Sequence, residues 1–530
     1  MSRASRIVLW LLAAVSLAPA AAFAAALRIG LAGAPASLDP QFRDARVDNI
    51  VARHLFDSLL RVDPHQRLLP GLAIGLRRLD ATTWAFKLRP GVVFSDAAPL
   101  AADDVVFSLE RARDGAEAGG HGGGFARYLA GTHFMAPDGG TVLIRTARPD
   151  PRLPNTLARI AILSRARAAG AATADFASGN AVVGSGPYRL VERRDDGVIV
   201  LDRNERYRGP KPEWTRVVLR PVAASRERLA ALTSGALDLI EEVPPQALAA
   251  LPKAPRPVVT QTLSDRLIYL QLDQFRDASP FVRAGDGGAI KNPFKDRRVR
   301  RALSMAIDRA TISATVLAGA AAPAGQLVPR GFFGRSATLG PPAYDPEGAR
   351  KLLAAAGYAQ GFRVTLHVPS DRYADPIGVA KALATQLGKV GVRTRVVSLP
   401  SSVYFSRASR GGARGEPEFS LILVGWGSAS GEAGAALGAL IHGYDRARGL
   451  GLWNRGRYHD PQTDKLIEEA LVTLDDGKRA RLLASTTDRA IADAAIIPLY
   501  FQISTWASRR GVGYRGRSDE LTLAMDAYSK

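Results

Sequence analysis

The 530-residue sequence contains no cysteine and only four methionines. Without a thiol there is no disulfide, no thiolate metal site and no lipid-modified cysteine, so stability has to come from burial. Catalytic signatures are equally scarce. No serine has glycine two residues away on both sides, the glycine–lysine spacing of a phosphate-binding loop is missing, and the seven histidines never fall into a paired-ligand spacing. His442 and His459 read as isolated, solvated loop groups. The adjacent acids Asp103-Asp104 and Glu241-Glu242 point in different directions on a helix or strand, which makes them poor acid–base partners. These absences speak against an enzyme, so no catalytic residue, metal or cofactor is expected. Beyond the first residues, no segment approaches 18 uninterrupted apolar residues, as a membrane span would require.

What is present begins with residues 1–26. Arg3 and Arg6 precede an apolar stretch at 7–17, and Ala22-Phe23-Ala24 or Ala24-Ala25-Ala26 supplies a small-residue cleavage site, which predicts a signal peptide. A retained anchor is the competing reading, but Pro19 and the alanine run end the apolar stretch early. With no cysteine tether, the expected product is a soluble protein confined to the periplasm. The net charge of +21 raises nucleic acid as a partner. Arginine outnumbers lysine all along the chain and is not concentrated on one element, so a solvated basic surface is the expectation, with no nucleic acid and with room for anionic ligands.

Residues 344–427 show the fold class. Asp345 reads as a helix N-cap with Pro346 behind it, and Gly357 as the left-handed stop. Alternation at Phe362, Val364, Leu366 and Val368 predicts a strand. A helix from Pro376 to Gly391, a strand at 392–397, a short polar helix and the apolar run 419–424 follow. Strand, helix, strand, helix, strand implies an α/β fold with a mostly parallel, covered sheet. Ligands of such sheets sit beyond the strand ends, and the 419–424 strand is expected to exit into a loop at 425–432 holding Trp426, Ser428, Ser430 and Glu432. Elsewhere, Thr83–Leu88 reads as a strand and 100–111 as a helix. Residues 115–124 hold six glycines and predict a flexible loop, and 296–309 predicts a helix with its arginines outward.

The motifs, taken in order, resemble one family. They are Ser37-Leu38-Asp39-Pro40, Trp84 through Arg89 with Phe94-Ser95-Asp96, Gly184-Ser185-Gly186-Pro187-Tyr188, Asn292-Pro293-Phe294, Ala306-Ile307-Asp308-Arg309, Tyr344-Asp345-Pro346 and Gly425-Trp426. Together they are similar to the family 5 solute-binding proteins of peptide-type ABC importers, which carry oligopeptides, dipeptides, nickel complexes or opines. The resemblance implies a periplasmic-binding-protein-like, three-domain architecture (class II, cluster C), with two lobes joined by crossing strands near 263–272 and 497–504. Lobe I would combine 27–60, 182–262 and 505–530, an inserted domain would span 61–181, and lobe II with the hinge strands would span 263–504. It implies a monomer that closes on a peptide-like solute and delivers it to inner-membrane permease subunits.

The same resemblance places Asp44, Ala45 and Arg46 against the ligand backbone, Phe125 or Tyr128 as an aromatic wall, Trp426 as the second-lobe aromatic, and Tyr500, Phe501 and Gln502 on a crossing strand facing the cleft. One departure stands out. The aspartate that peptide binders carry shortly after the Trp, for the ligand's amino group, is replaced by Ser428, Ala429 and Ser430 before Glu432 is reached. Either Glu432 serves as the anchor, or the solute is no ordinary free-amine peptide but an opine, a sugar or a metal chelate. A secreted hydrolase and a chaperone-like protein are the alternatives of other classes.

Overall fold

Two long strands rich in β-branched and aromatic residues, Val258–Leu272 and Ile497–Ser508, run antiparallel through the middle of the molecule. The computed structural model describes residues 26–115, 124–244, 246–247, 257–428 and 430–530. Nearly all of the expected signal segment, residues 116–123 of the expected glycine-rich loop, and Ala429 lie outside these residues. The two strands are central members of one 12-stranded sheet. On one side follow Leu421–Gly427, Phe362–Pro369 and Val282–Ala284; on the other Leu239–Ile240, Leu27–Leu31, Arg216–Pro221, Ile199–Arg203 and Tyr188–Arg193. Pairing of the long strands breaks between Leu263 and Leu267, then resumes with Leu267 opposite Phe501.

Each half of the sheet has its own apolar packing. Leu27, Ile29, Leu219 and Trp506 centre one cluster, whereas two clusters cover the faces of the other half, around Leu366 with Leu421 and around Leu437 with Ile467. A separate four-stranded antiparallel sheet, ordered Ala73–Arg78, Thr83–Leu88, Thr141–Arg145 and His133–Asp138, packs on helix Ala102–Asp114 around its own core. Among the described residues no helix is long and apolar enough to cross a membrane.

The helix signals are realised at the atomic level. The Asp345 carboxylate accepts from Gly348 N at 2.8 Å and Asp375 from Gly378 N at 2.9 Å, capping Pro346–Ala355 and Pro376–Gly388. Phe362–Pro369 lies parallel to Val392–Leu399 and to Leu421–Gly427, as the strand–helix alternation demands. The expectation of a mostly parallel sheet does not hold for the sheet as a whole, because the long strands, Val282–Ala284 and the Tyr188–Arg193 to Ile199–Arg203 hairpin all pair antiparallel. Glycine is required at Gly184 and Gly186, where a Cβ would fall 2.1 Å and 2.7 Å from the Leu55 carbonyl oxygen.

Three further readings are corrected. The apolar run does not end in a loop at Gly425; Gly425, Trp426 and Gly427 continue the strand, paired to Ile268, Leu267 and Arg266. The 296–309 arginines do not all face outward. Arg300 donates to the carbonyls of Phe294, Lys295, Asp493 and Ala494, and Arg309 to those of Ser304, Ile307 and Pro498, each guanidinium serving several helix-end and loop acceptors at once. Glu241 and Glu242 converge on Arg46 at 3.0 and 2.5 Å, because Glu242 adopts a left-handed φ of 50° that turns its side chain back.

His54 joins helix Arg46–Leu55 to the C-terminal segment. Its Nδ1 lies 2.7 Å from the Ile50 carbonyl and its Nε2 accepts from Ala524 N at 3.0 Å, so the ring is neutral. Burial holds its pKa down at about 4, against 6.5 when free, and the Ile50 bond offsets this only in part. The unfolded chain therefore takes up this proton first. The contribution is complete above pH 6.5 and is lost as the pH falls towards 4, by about 3 kcal/mol. Urea unfolding across pH 7 to 4 is expected to show this loss in the wild type and to show it reduced by about that amount in His54→Gln; equal pH slopes would refute the assignment.

Candidate functional site

The two halves of the sheet and the four-stranded region enclose a cavity of about 990 Å³. Helix Arg46–Leu55 starts at its wall, because Ala45 is extended (φ −126°, ψ 150°) and aims the preceding loop inward. Asp44 pairs with Arg159 and accepts from Asn49 Nδ2 at 2.9 Å, while Arg46 is held by its two glutamates. Tyr128 lies beneath two guanidinium groups, Arg127 at 4.6 Å and Arg159 at 5.2 Å from the ring centre. From the other half come Trp426, fixed by its strand pairing, and Trp453, with ring centroids 6.2 Å apart. Asn155 Nδ2 donates to the Ser430 carbonyl at 2.8 Å, a direct bond between the two sides.

Asp44, Ala45, Arg46, Tyr128, Trp426 and Ser430 thus line one cavity. Gln502 lines a second of about 350 Å³, and Arg46, Arg266, Asp371 and Arg372 border both. The other expected residues are placed elsewhere. Phe125 is 1 % exposed and packs in the core of the four-stranded region, so Tyr128 alone supplies that wall. Tyr500 and Phe501 are covered because their side chains, on opposite faces of the strand, pack into the two apolar clusters of the second half, Tyr500 with Leu366 and Leu421 and Phe501 with Leu437 and Ile467. Ser428 donates to the Glu432 carbonyl at 2.8 Å. Glu432 is no free anchor: it is buried in an ion pair with Arg479, which also stacks over Phe333. His442 is buried too, bonded to the Gly443 carbonyl and Glu468, whereas His459 pairs with Asp464 near the surface. Among the described residues no group of three acids or histidines could hold a metal.

Several lining residues carry no local sequence signal. Ten arginines and seven carboxylates border the larger cavity. Arg43, Arg152, Arg159, Arg266 and Arg448 are paired with acids, as is Arg46. Arg53, Arg127, Arg148 and Arg372 have no carboxylate within 4 Å among the described residues, so positive charge is in surplus. Burial pushes Arg53 down to about 10, with Asp519 and Asp44 as the opposing influences. Asp265, in the break between Leu263 and Leu267, is the opposite case. Burial raises its carboxyl to about 7, the charge of Glu520 adds to this, and a bond from Gln66 with the charge of Arg266 only partly opposes it. Glu520, although buried, is held at about 2 by the charge and bonds of Arg266.

A family profile described as "Bacterial extracellular solute-binding proteins, family 5 Middle" matches residues 68–447. The glutathione-binding protein GsiB of Escherichia coli O1:K1 / APEC is 28% identical over 469 residues, covering 87% of this chain and 86% of its own length. HbpA2 from Haemophilus parasuis superimposes with a TM-score of 0.80 at 23% identity, over 96% of this chain and all of that one. The periplasmic binding protein DppA from Helicobacter pylori, in complex with the peptide STSA, gives 0.76 at 22% identity over 95% and 98%. The match to the family profile spans well over half of the sequence, and the chain belongs to the bacterial extracellular solute-binding proteins of family 5.

Proposed function

We propose that this protein captures a short peptide or peptide-like solute of net negative charge in the larger cavity and delivers it to the permease subunits of an ABC importer. The observation that carries this reading is the set of unpaired guanidinium groups, Arg53, Arg127, Arg148 and Arg372, around a cavity walled by Trp426, Trp453 and Tyr128. Guanidinium groups bind carboxylates through paired donors, and aromatic walls accept varied side chains. Two relatives support the solute class: one is named as glutathione-binding, and one was solved with a peptide. Glutathione is itself a peptide-like anion with two carboxylates and one ammonium. A solute touching both halves favours the closed arrangement by its extra contacts there, and that shift is what a transporter can read.

The division into lobe I (27–60, 182–262, 505–530), an inserted region (61–181) and lobe II (263–504) is the working frame for this motion. We infer a monomer, free in the periplasm after signal removal, that makes and breaks no bonds in its ligand. The same guanidinium surplus favours a second reading, an opine-like solute rich in carboxylates.

Calorimetry with reduced glutathione, trialanine and their C-terminal amides tests the proposal. Free carboxylates are expected to bind more tightly than the amides, with a smaller radius of gyration in the bound state. Absence of binding by every probe would overturn it. Trp426→Ala should weaken the best probe by about 5- to 150-fold, the loss of one stacking wall. Glu432→Gln should leave affinity within twofold while lowering unfolding stability by about 3 kcal/mol, since it strands the Arg479 charge in the interior. Loss of affinity without loss of stability would return Glu432 to the binding site.

A further inference from the structure

Among the described residues, every carboxylate bordering the larger cavity is ion-paired except two, exposed Asp371 and buried Asp265. Asp44, Asp48, Asp150, Glu242 and Asp519 are each ion-paired, and exposed Asp371 accepts from the backbone and hydroxyl of Ser401. Asp265 has no cation within 4 Å among the described residues and is only 4 % exposed. Its Oδ2 accepts from Gln66 Nε2 at 3.0 Å, whereas its Oδ1 receives no donor among the described residues. That oxygen lies beside Gly427, next to the Trp426 wall; a Cβ there would come within 3.1 Å of it.

The residue is firmly placed. Asp265 N donates to the Ser518 carbonyl at 2.9 Å in place of a bond to the strand Ile497–Ser508, whose pairing is broken between Leu263 and Leu267. The adjacent guanidinium cannot neutralise it, because Arg266 is committed to Glu520 through bonds of 2.6 and 2.9 Å. The charged groups around Asp265 are Glu520 and Asp519 from the C-terminal segment and Arg266 from its own strand, with neutral Gln66 facing it from the loop after Leu60–Val62. A buried carboxylate left in such company is poorly stabilised unless a cation arrives.

We propose that Asp265 is the residue that receives the ammonium group of the solute, with Oδ1 as the accepting atom. This rests on the solute-binding reading above and adds the opposite charge to it. A zwitterionic solute then meets unpaired groups of both signs, Asp265 for its amine and the free arginines for its carboxylates. Binding is also linked to protons. A carboxyl poised near pH 7 is about half protonated there, and an incoming ammonium requires the ionised form, so capture releases about half a proton at pH 7. Affinity for amines falls with decreasing pH below that point, approaching tenfold per unit.

The test uses full-length protein with glutathione and trialanine, each free and N-acetylated, in buffers of different ionisation enthalpy. Asp265→Asn keeps an acceptor for Gln66 and removes a strained charge, so its melting temperature at pH 8 should not fall. It should weaken the free-amine probes by about 30-fold or more, leave the acetylated probes within twofold, and abolish proton release. Wild-type binding of peptides that Asp265→Asn leaves unchanged, or weakens equally for free and acetylated forms, would overturn the assignment while the solute-binding reading stands. No binding of any probe by the wild type would remove both.

Discussion

The pairing of Val258–Leu272 with Ile497–Ser508 is the constraint on which everything else hangs. Strands of the first half attach to one end of this ribbon through Leu239–Ile240, and strands of the second half attach to the other through Leu421–Gly427. Both halves are therefore parts of one hydrogen-bonded sheet, yet each packs its own core. The wider of the two irregularities in this ribbon, between Leu263 and Leu267, lies where the halves meet and beside the cavity; the other is a one-residue shift between Ile268 and Tyr269. A sheet resists shear within its ladder and bends most easily where the ladder is broken, which places the most pliable part of the ribbon at the wall of the cavity.

Arginine performs most of the polar work in the interior. With no disulfide to tie segments together, multi-donor guanidinium groups do so. Arg228 is 2 % exposed and donates to the carbonyls of Val222, Ala223, Glu241 and Glu242, and Arg517 joins Asp519 and Asp526 to the chain near Val62 and Asp63. A planar group with five donors can satisfy several carbonyls that no backbone partner reaches, which lysine cannot match. The high positive charge is thus partly an internal scaffold and partly the lining of a cavity, and only the remainder is a solvated surface.

The sequence disclosed what depends on neighbours along the chain. Capping at Asp345 and Asp375 and the alternation of Phe362 to Val368 are local signals, and their consequences are visible in the bonds and pairings they make. Trp426 stands in one of the ordered motifs and the Asp44–Arg46 segment follows from the resemblance alone; both line the larger cavity. What escaped notice depends on which face a strand presents after both edges are paired. Tyr500 and Phe501 read as cleft residues in the sequence, but the apolar clusters on the two faces of the sheet take them up, and Glu432 is held by Arg479, distant in sequence. Asp265 carries no local signal either, because its isolation results from the contacts that its neighbours Ser264 and Arg266 make with Glu520, distant in sequence.

The ribbon also imposes a timetable. Val258 is paired with Ser508 and Leu270 with Ile497, so the spine cannot assemble until almost the whole polypeptide is available. Long-range strand pairing of this kind is slow, since a large loop must close before any ladder bond rewards it. Topology alone thus delays the central sheet until both of its long strands are available, whatever the speed at which the local helices and hairpins form.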